Sequence, residues 1–103
     1  MIRLSVMYPG GAGNTFDLAY YCDKHIPMAR RLLGAALKDV SVDAGIAGGE
    51  NGAPAPYTAI GYLMFDSLDA FLKAFTPVAG ELQGDIPKYT NSKPIIQISE
   101  VKI

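Results

Sequence analysis

The sequence predicts one α+β domain over residues 1–103, with a four-stranded antiparallel sheet that carries two helices on one face. Two observations lead to this prediction. The apolar periodicity alternates between that of a strand and that of a helix, in the order strand, helix, strand, strand, helix, strand. Hydrophobic residues make up 50% of the chain and charged residues only 18%, which excludes intrinsic disorder and is sufficient for a core.

The N-terminal third contains the first strand and the first helix. Residues 1–8 alternate in the manner of a strand, and a proline and glycine-rich turn at 9–14 ends it. Asn14 or Thr15 is expected to cap the helix, and Gly34 to end it. Pro27 should kink the helix beside His25, because proline lacks the N–H that an α-helix needs. The predicted buried stripe consists of Leu18, Cys22, His25, Ile26, Ala29, Leu32 and Leu33.

The remaining elements follow in order. Residues 37–46 form the second strand, residues 47–56 a mobile loop, residues 57–65 the third strand and residues 95–103 the fourth. Asp66 or Ser67 is expected to cap the second helix, and Pro77 to make it irregular. The order βαββαβ gives a ferredoxin-like sheet with both helices on one face. The third strand is apolar on both of its faces, so we expect a homodimer in which two sheets pack face to face.

Composition also excludes several classes of protein. Nine Lys and Arg against ten Asp and Glu give a net charge of −1, so we expect neither nucleic-acid nor membrane binding. No stretch of roughly 20 apolar residues or signal peptide is present, and we expect a cytoplasmic protein. The glycine-rich turn lacks both the Walker motif and the third glycine of a dinucleotide-binding motif. One cysteine and one histidine cannot complete a structural zinc site, and we expect no metal and no cofactor.

The first helix carries the candidate chemistry. Asp17, Tyr21 and His25 are spaced by four residues and share one side of the helix, while His25 also belongs to the apolar stripe. A neutral imidazole there could act as a general base, with a tyrosine hydroxyl polarising a substrate oxygen. The alternative is a structural core histidine with a satisfied hydrogen bond. Cys22 is interpreted as a small buried residue rather than a thiolate partner of His25. Asp85 could be a second acid, although no spacing places it near His25.

Several motifs occur in a fixed order: Tyr8-Pro9, Phe16-Asp17, Tyr20-Tyr21, His25-x-Pro27 and the segment Asp85-x-Pro-x-Tyr89-Thr90. In these motifs, and in length and element order, the chain resembles the EthD-like proteins, named for ethyl tert-butyl ether degradation. The resemblance implies a dimeric α+β barrel of two ferredoxin-like subunits. It places the candidate catalytic group at His25, with Tyr21 and Asp85 beside it. Tyr8, Tyr62 and Tyr89 are the candidate substrate-binding residues.

Relatives of this fold include cofactor-independent monooxygenases, isomerases and cyclases, and fold analogy does not choose among them. The first hypothesis is therefore a small enzyme, an oxidoreductase or a proton-transfer enzyme, acting on a hydrophobic or phenolic compound in catabolism or secondary metabolism. The alternative is a non-catalytic protein that carries such a compound for a degradation pathway. A third hypothesis is a structural dimer in which His25 satisfies a buried hydrogen bond.

Overall fold

The computed structural model describes all residues from 1 to 103 and confirms the predicted α+β class. The strands are β1 (Ile2–Pro9), β2 (Asp39–Ala44), β3 (Tyr57–Phe65) and β4 (Ile95–Glu100). All neighbouring strands are antiparallel, and their order across the sheet is β2-β3-β1-β4. This is the predicted ferredoxin-like arrangement, with β1 and β3 at the centre and β4 at one edge.

Two helical arms connect the strands. The first arm consists of α1 (Leu18–Tyr20), a π-helical turn (Tyr21–His25), α2 (Ile26–Leu33) and a 3-10 turn (Gly34–Ala36). The second arm consists of α3 (Leu68–Phe75), a 3-10 turn (Thr76–Val78), α4 (Ala79–Asp85) and a second 3-10 turn (Ile86–Lys88). None of these helices has the length and hydrophobicity needed to cross a membrane.

Both arms pack on the same face of the sheet, where the main core lies. The core joins residues of the two central strands to residues of both arms, and its buried members are Leu4, Ala29, Leu33, Leu63, Phe65, Phe71 and Leu82. The side chains that point to this face of β3 are buried from Ala59 onwards, whereas Ile60, Tyr62 and Met64 on the opposite face are partly exposed. Burial of one such core side chain stabilises the fold by roughly 1.5–3 kcal/mol.

Pro27 interrupts the first arm as predicted, and the interruption takes the form of a π turn. The N–H of Ile26 donates to the carbonyl of Tyr21, five residues earlier. Because this turn holds one more residue than an α-helical turn, the residues before it are rotated relative to those after it. Tyr21 therefore occupies the inward position that an unbroken α-helix would give to Cys22. The predicted buried stripe was wrong at Leu18 and Cys22, which are both exposed.

The helix ends show which polar side chains supply the caps. Asp17 caps the first arm by accepting the N–H of Tyr20 at 3.0 Å, so the expectation of Asn14 or Thr15 was wrong. The Asn14 amide instead donates to carbonyls of the glycine-rich turn. Ser67 caps α3 as predicted, through the N–H of Ala70. Gly34 ends α2 with φ of 61°, a backbone angle that glycine adopts without strain.

Strand boundaries differ modestly from those expected. β3 begins and ends as predicted, and β1 lies one residue later at both ends. β2 and β4 are shorter than expected, since regular pairing ends at Ala44 and at Glu100.

Candidate active site

His25 and Asp85 form a buried pair between the two arms. His25 ends the π turn of the first arm, and Asp85 is the last residue of α4 in the second arm. The Nδ1 atom of His25 lies 2.8 Å from Oδ2 of Asp85, and the two residues are only 8% and 6% exposed. Because an ionised carboxylate only accepts hydrogen bonds, Nδ1 carries the proton that joins them. A neutral ring in this tautomer has Nε2 as a free base.

Further contacts hold Asp85 in its ionised form. Its Oδ1 atom accepts a hydrogen bond from the Tyr20 hydroxyl at 2.9 Å, and the Lys88 ammonium lies 3.7 Å away. Burial alone would raise the pKa of Asp85, but the hydrogen bonds from His25 and Tyr20 outweigh burial and lower this pKa below its ordinary value. The hydrogen bond to Asp85, followed by partial burial, raises the pKa of the Tyr20 hydroxyl. The pair is thus a carboxylate that orients an imidazole.

Three buried tyrosines form a cluster, and two of them contact the imidazole. The hydroxyl oxygens of Tyr8 and Tyr89 are 2.6 Å apart. The His25 ring stacks on Tyr21 with centroids 5.5 Å apart and lies 4.8 Å from the Tyr89 ring. Burial, as the main cause, raises the pKa of all three tyrosines well above the ordinary value of 10.0. At neutral pH these hydroxyls are therefore protonated and can donate hydrogen bonds.

A cavity of about 210 Å³ lies between the sheet and the two arms, and His25 is part of its wall. Tyr8, Tyr21 and His25 supply polar groups at one end of it. The opposite end is lined by core side chains, among them Leu4, Leu33, Leu63, Phe71 and Leu82. An apolar cavity of about 150 Å³ is large enough for benzene, so this one can accept a compound of one substituted ring.

The cavity opens towards β4. Ile96 and Ile98 lie in its wall and are opposite Val6 and Leu4 in the sheet. They remain 54% and 44% exposed, since β4 is the edge strand. The wall offers one imidazole and one amide, that of Gln83, but no carboxylate or thiolate. The chain contains no group of three or more His, Cys, Asp or Glu side chains placed to hold a metal ion.

The structure brings five of the six candidate residues together: Tyr8, Tyr21, His25, Asp85 and Tyr89. Tyr62 is not among them, because its side chain points to the opposite face of the sheet, where the Arg3 guanidinium lies 6.0 Å from its ring. Asp17 does not join Tyr21 and His25 either, since its side chain is exposed and caps the helix. The exposed Cys22 forms no pair with His25.

Two residues of the site were missed in the sequence. Tyr20 contacts Asp85 across 65 positions of the chain, and no local pattern indicates such a contact. Gly61 lies directly below the Tyr21 hydroxyl, so closely that an added Cβ would overlap the hydroxyl oxygen. A signal for Gly61 was present, because a glycine inside an apolar strand often marks the close approach of another group.

Comparisons with known proteins agree with this architecture. The EthD domain model matches residues 13–93. An EthD-like protein of Ralstonia eutropha JMP134 is 42% identical over 99% of this chain and 92% of its own, with a TM-score of 0.94. An ethyl tert-butyl ether degradation family protein of Bacillus halodurans C-125 is 20% identical over 99% of both chains, with a TM-score of 0.74.

A more distant structure, a provisionally named monooxygenase of Shewanella loihica PV-4, is 14% identical over 99% of this chain and 94% of its own, with a TM-score of 0.53. At this identity the likeness concerns the fold alone. No functionally curated protein matches the chain. The family model covers most of the sequence, and the 42% identical structure covers nearly all of it. The chain therefore belongs to the EthD family.

Proposed function

We propose that this protein is an acid–base enzyme that moves a proton on a small hydrophobic compound with an enolisable or phenolic group. One observation carries the proposal: His25 lies in the wall of an apolar cavity, and its Nδ1 atom is held by a buried carboxylate at 2.8 Å. A buried ionisable side chain with a specific charged partner, placed at a cavity, is a candidate for a functional site.

The proposed step uses only side chains of this chain. Nε2 of His25 takes a proton from an O–H group, whose bonding pair stays on the oxygen, or from a C–H group next to a carbonyl. In the second case the C–H pair forms the C=C bond of an enolate, and the carbonyl π pair moves to the oxygen. The resulting imidazolium donates through Nδ1 to Asp85, which stabilises its positive charge. Return of the proton to another atom of the substrate completes the transfer and restores the neutral ring. A positioned acid–base group of this kind contributes roughly 10²–10⁴-fold to the rate.

Oxygenation, isomerisation and cyclisation of such compounds can all begin with this proton transfer. The provisionally named monooxygenase of Shewanella loihica shares the fold, and its name is one reason to include oxidoreductase chemistry among the candidates. A role in catabolism or secondary metabolism accords with a substrate of this kind. The proton transfer is the part of the proposal that the geometry of His25 and Asp85 supports directly.

A second candidate function is carriage of a hydrophobic compound without chemistry. The apolar lining of most of the cavity favours it, because hydrophobic contacts alone can bind an apolar ligand. In that case His25 would only hydrogen-bond the ligand, and its replacement would weaken binding without removing any turnover.

We also propose that two copies pack through the sheet face opposite the arms. Ile60, Tyr62 and Met64 lie on this face, and Ile95 beside them is 50% exposed. Pairing with a second copy would remove this apolar surface from water. Sedimentation at micromolar concentration should give the mass of a dimer, and a monomer would contradict this proposal.

The test of proton transfer is solvent deuterium exchange into 2-indanone, a benzene ring fused to a five-membered ketone with acidic C–H groups, followed by proton NMR in D₂O. The protein should accelerate the exchange, and His25→Gln should reduce the acceleration by at least about 100-fold. Cys22→Ala is the matched control, because Cys22 lies in the same turn but is exposed. Saturable binding with exchange no faster than in buffer would favour the carrier. Equal exchange by His25→Gln and the unaltered protein would remove His25 from the mechanism.

A further inference from the structure

Gly61 occupies the centre of β3 and faces the helical arms. Val6 and Val42 are its neighbours on the two adjacent strands, so it is the one position in this row without a side chain. The Tyr21 hydroxyl fills the space: a Cβ atom on Gly61 would overlap its oxygen. A glycine within a strand weakens it, and here the absence of a side chain admits the buried tyrosine.

We propose that Gly61 is a positioning residue, which lets the Tyr21 hydroxyl lie against the sheet at the polar end of the cavity, where it donates a hydrogen bond to an oxygen of the ligand. This inference rests on the proposed function only in taking the cavity as the ligand site. It does not require that His25 transfer a proton.

The neighbouring groups explain why the Tyr21 hydroxyl is the donor. The Tyr8 hydroxyl is joined to Tyr89 at 2.6 Å, whereas Tyr21 shares only a longer hydrogen bond with Tyr8, which a ligand oxygen can replace. Tyr21 is 1% exposed, yet it is part of the cavity wall. Its ring stacks on His25 with an angle of 15° between the planes, so the position of the hydroxyl is fixed relative to the imidazole.

The geometry also predicts which substitution would relieve a side chain at Gly61. The other atoms of Tyr21 nearest to an added Cβ are Cζ at 3.4 Å and Cε2 at 3.8 Å, which are ordinary contact distances. Only the hydroxyl oxygen clashes. Gly61→Ala should therefore displace Tyr21, and Tyr21→Phe should make the same alanine tolerable.

The first experiment is a double-mutant cycle on stability, measured by urea unfolding of Gly61→Ala, Tyr21→Phe and the double variant. Gly61→Ala should lower the unfolding midpoint when Tyr21 is present and have little effect when it is combined with Tyr21→Phe. Gly80→Ala is the control, because no atom lies within 4 Å of a Cβ at that exposed glycine. Two results would overturn the positioning role. One is that Gly61→Ala lowers the unfolding midpoint no more than Gly80→Ala does. The other is that Gly61→Ala lowers the midpoint equally with Tyr21 and with Tyr21→Phe.

The second experiment measures the affinity of 4-methylphenol relative to 1,4-dimethylbenzene by NMR titration. Tyr21→Phe should reduce this ratio by about three- to tenfold, the effect of one neutral hydrogen bond. The Gly61→Ala variant, where it folds, should show a similar reduction of the affinity ratio. The double variant should show no further reduction. An unchanged ratio in Tyr21→Phe, or no binding of 4-methylphenol to the unaltered protein, would refute the hydroxyl as the donor. The affinity ratio can behave as expected while the protein does not accelerate deuterium exchange into 2-indanone. That result would refute only the proton transfer.

Discussion

The two helical arms contain the same break in sequence but differ in what they bury. Each has a proline near its middle, Pro27 in the first arm and Pro77 in the second. The first arm widens into a π turn and buries Tyr21 and His25 there. The second arm tightens into a 3-10 turn, and its adjoining α-helices bury Phe71 and Leu82 in the main core.

The difference shows that a proline marks where a helix changes without determining how. A π turn adds a residue and rotates the upstream turn, which carries the large Tyr21 side chain to the sheet in place of Cys22. In the second arm, the helices on both sides of the 3-10 turn direct apolar side chains at the core. The arms meet where Asp85 at the end of α4 binds His25 at the end of the π turn. Both arms therefore contribute to the core, while the first also supplies the base and the second the carboxylate that binds it.

The largest expected effect is on packing by the second arm. Phe71 is 5% exposed, and its ring centroid lies 5.1 Å from that of Phe65. Phe71→Ala should lower the free energy of unfolding by about 3–5 kcal/mol, through lost burial and the cavity left behind. Leu72→Ala is the control, because Leu72 is 47% exposed, and it should cost less than about 1 kcal/mol. Equal costs in urea unfolding would mean that the second arm does not anchor the core through Phe71.

The contact between the arms should have a smaller effect that depends on pH. Asp85→Asn should lower the free energy of unfolding by about 1–3 kcal/mol at pH 6, because His25 and Tyr20 lose a charged acceptor. The pKa of Asp85 is lowered on folding, so its carboxylate stabilises the fold above the ordinary value of 3.8 and this contribution disappears as the pH falls through the folded-state pKa. The difference between the two proteins should therefore shrink between pH 6 and pH 3. Asp69→Asn at an exposed ion pair should show no comparable trend.

The aromatic cluster of the first arm should resist ionisation. The pKa values of Tyr8, Tyr21 and Tyr89 are raised on folding, so the stability linked to them is complete below pH 10 and is lost as the pH rises through the folded-state values. Absorbance at the tyrosinate band should show these three ionising only together with unfolding, as followed by circular dichroism. Ionisation of these tyrosines before the loss of structure would contradict their burial in the folded protein.

The smallest effects are expected at the helix N-caps, which have the same form in both arms. Asp17→Ala and Ser67→Ala each remove one side-chain acceptor from a helix N-terminus. Each should lower the free energy of unfolding by about 1 kcal/mol. Thr15→Ala, at a position predicted from sequence, should have less effect on the first arm, because Thr15 makes its hydrogen bonds through its backbone. A larger cost for Thr15→Ala than for Asp17→Ala in urea unfolding would reverse this assignment.

The sequence predicted the fold where local patterns determine it. The alternation in β3 indicated both ends of that strand, and the Ser67 cap followed from its place before an apolar stripe. The burial of Tyr21 instead of Cys22 was missed, because helical periodicity assumes a constant number of residues per turn. Asp85 and Tyr20 were beyond such patterns, since the sheet and both arms must be in place before they approach His25 or each other. Tyr62 was predicted in the site because it is a tyrosine, and this prediction was wrong. The alternation in β3 places its side chain on the face opposite the arms.

The orientation of the His25 ring is best measured by ¹⁵N NMR of protein labelled at histidine, since His25 is its single imidazole. We expect Asp85 to hold Nδ1–H and to leave Nε2 free to contact a ligand in the cavity. With the ring neutral, Nδ1 should be the protonated nitrogen, and saturation with 4-methylphenol should move the Nε2 resonance while Nδ1 stays protonated. A neutral ring protonated at Nε2, or an Nε2 resonance that does not respond to a bound ligand, would contradict this role of His25.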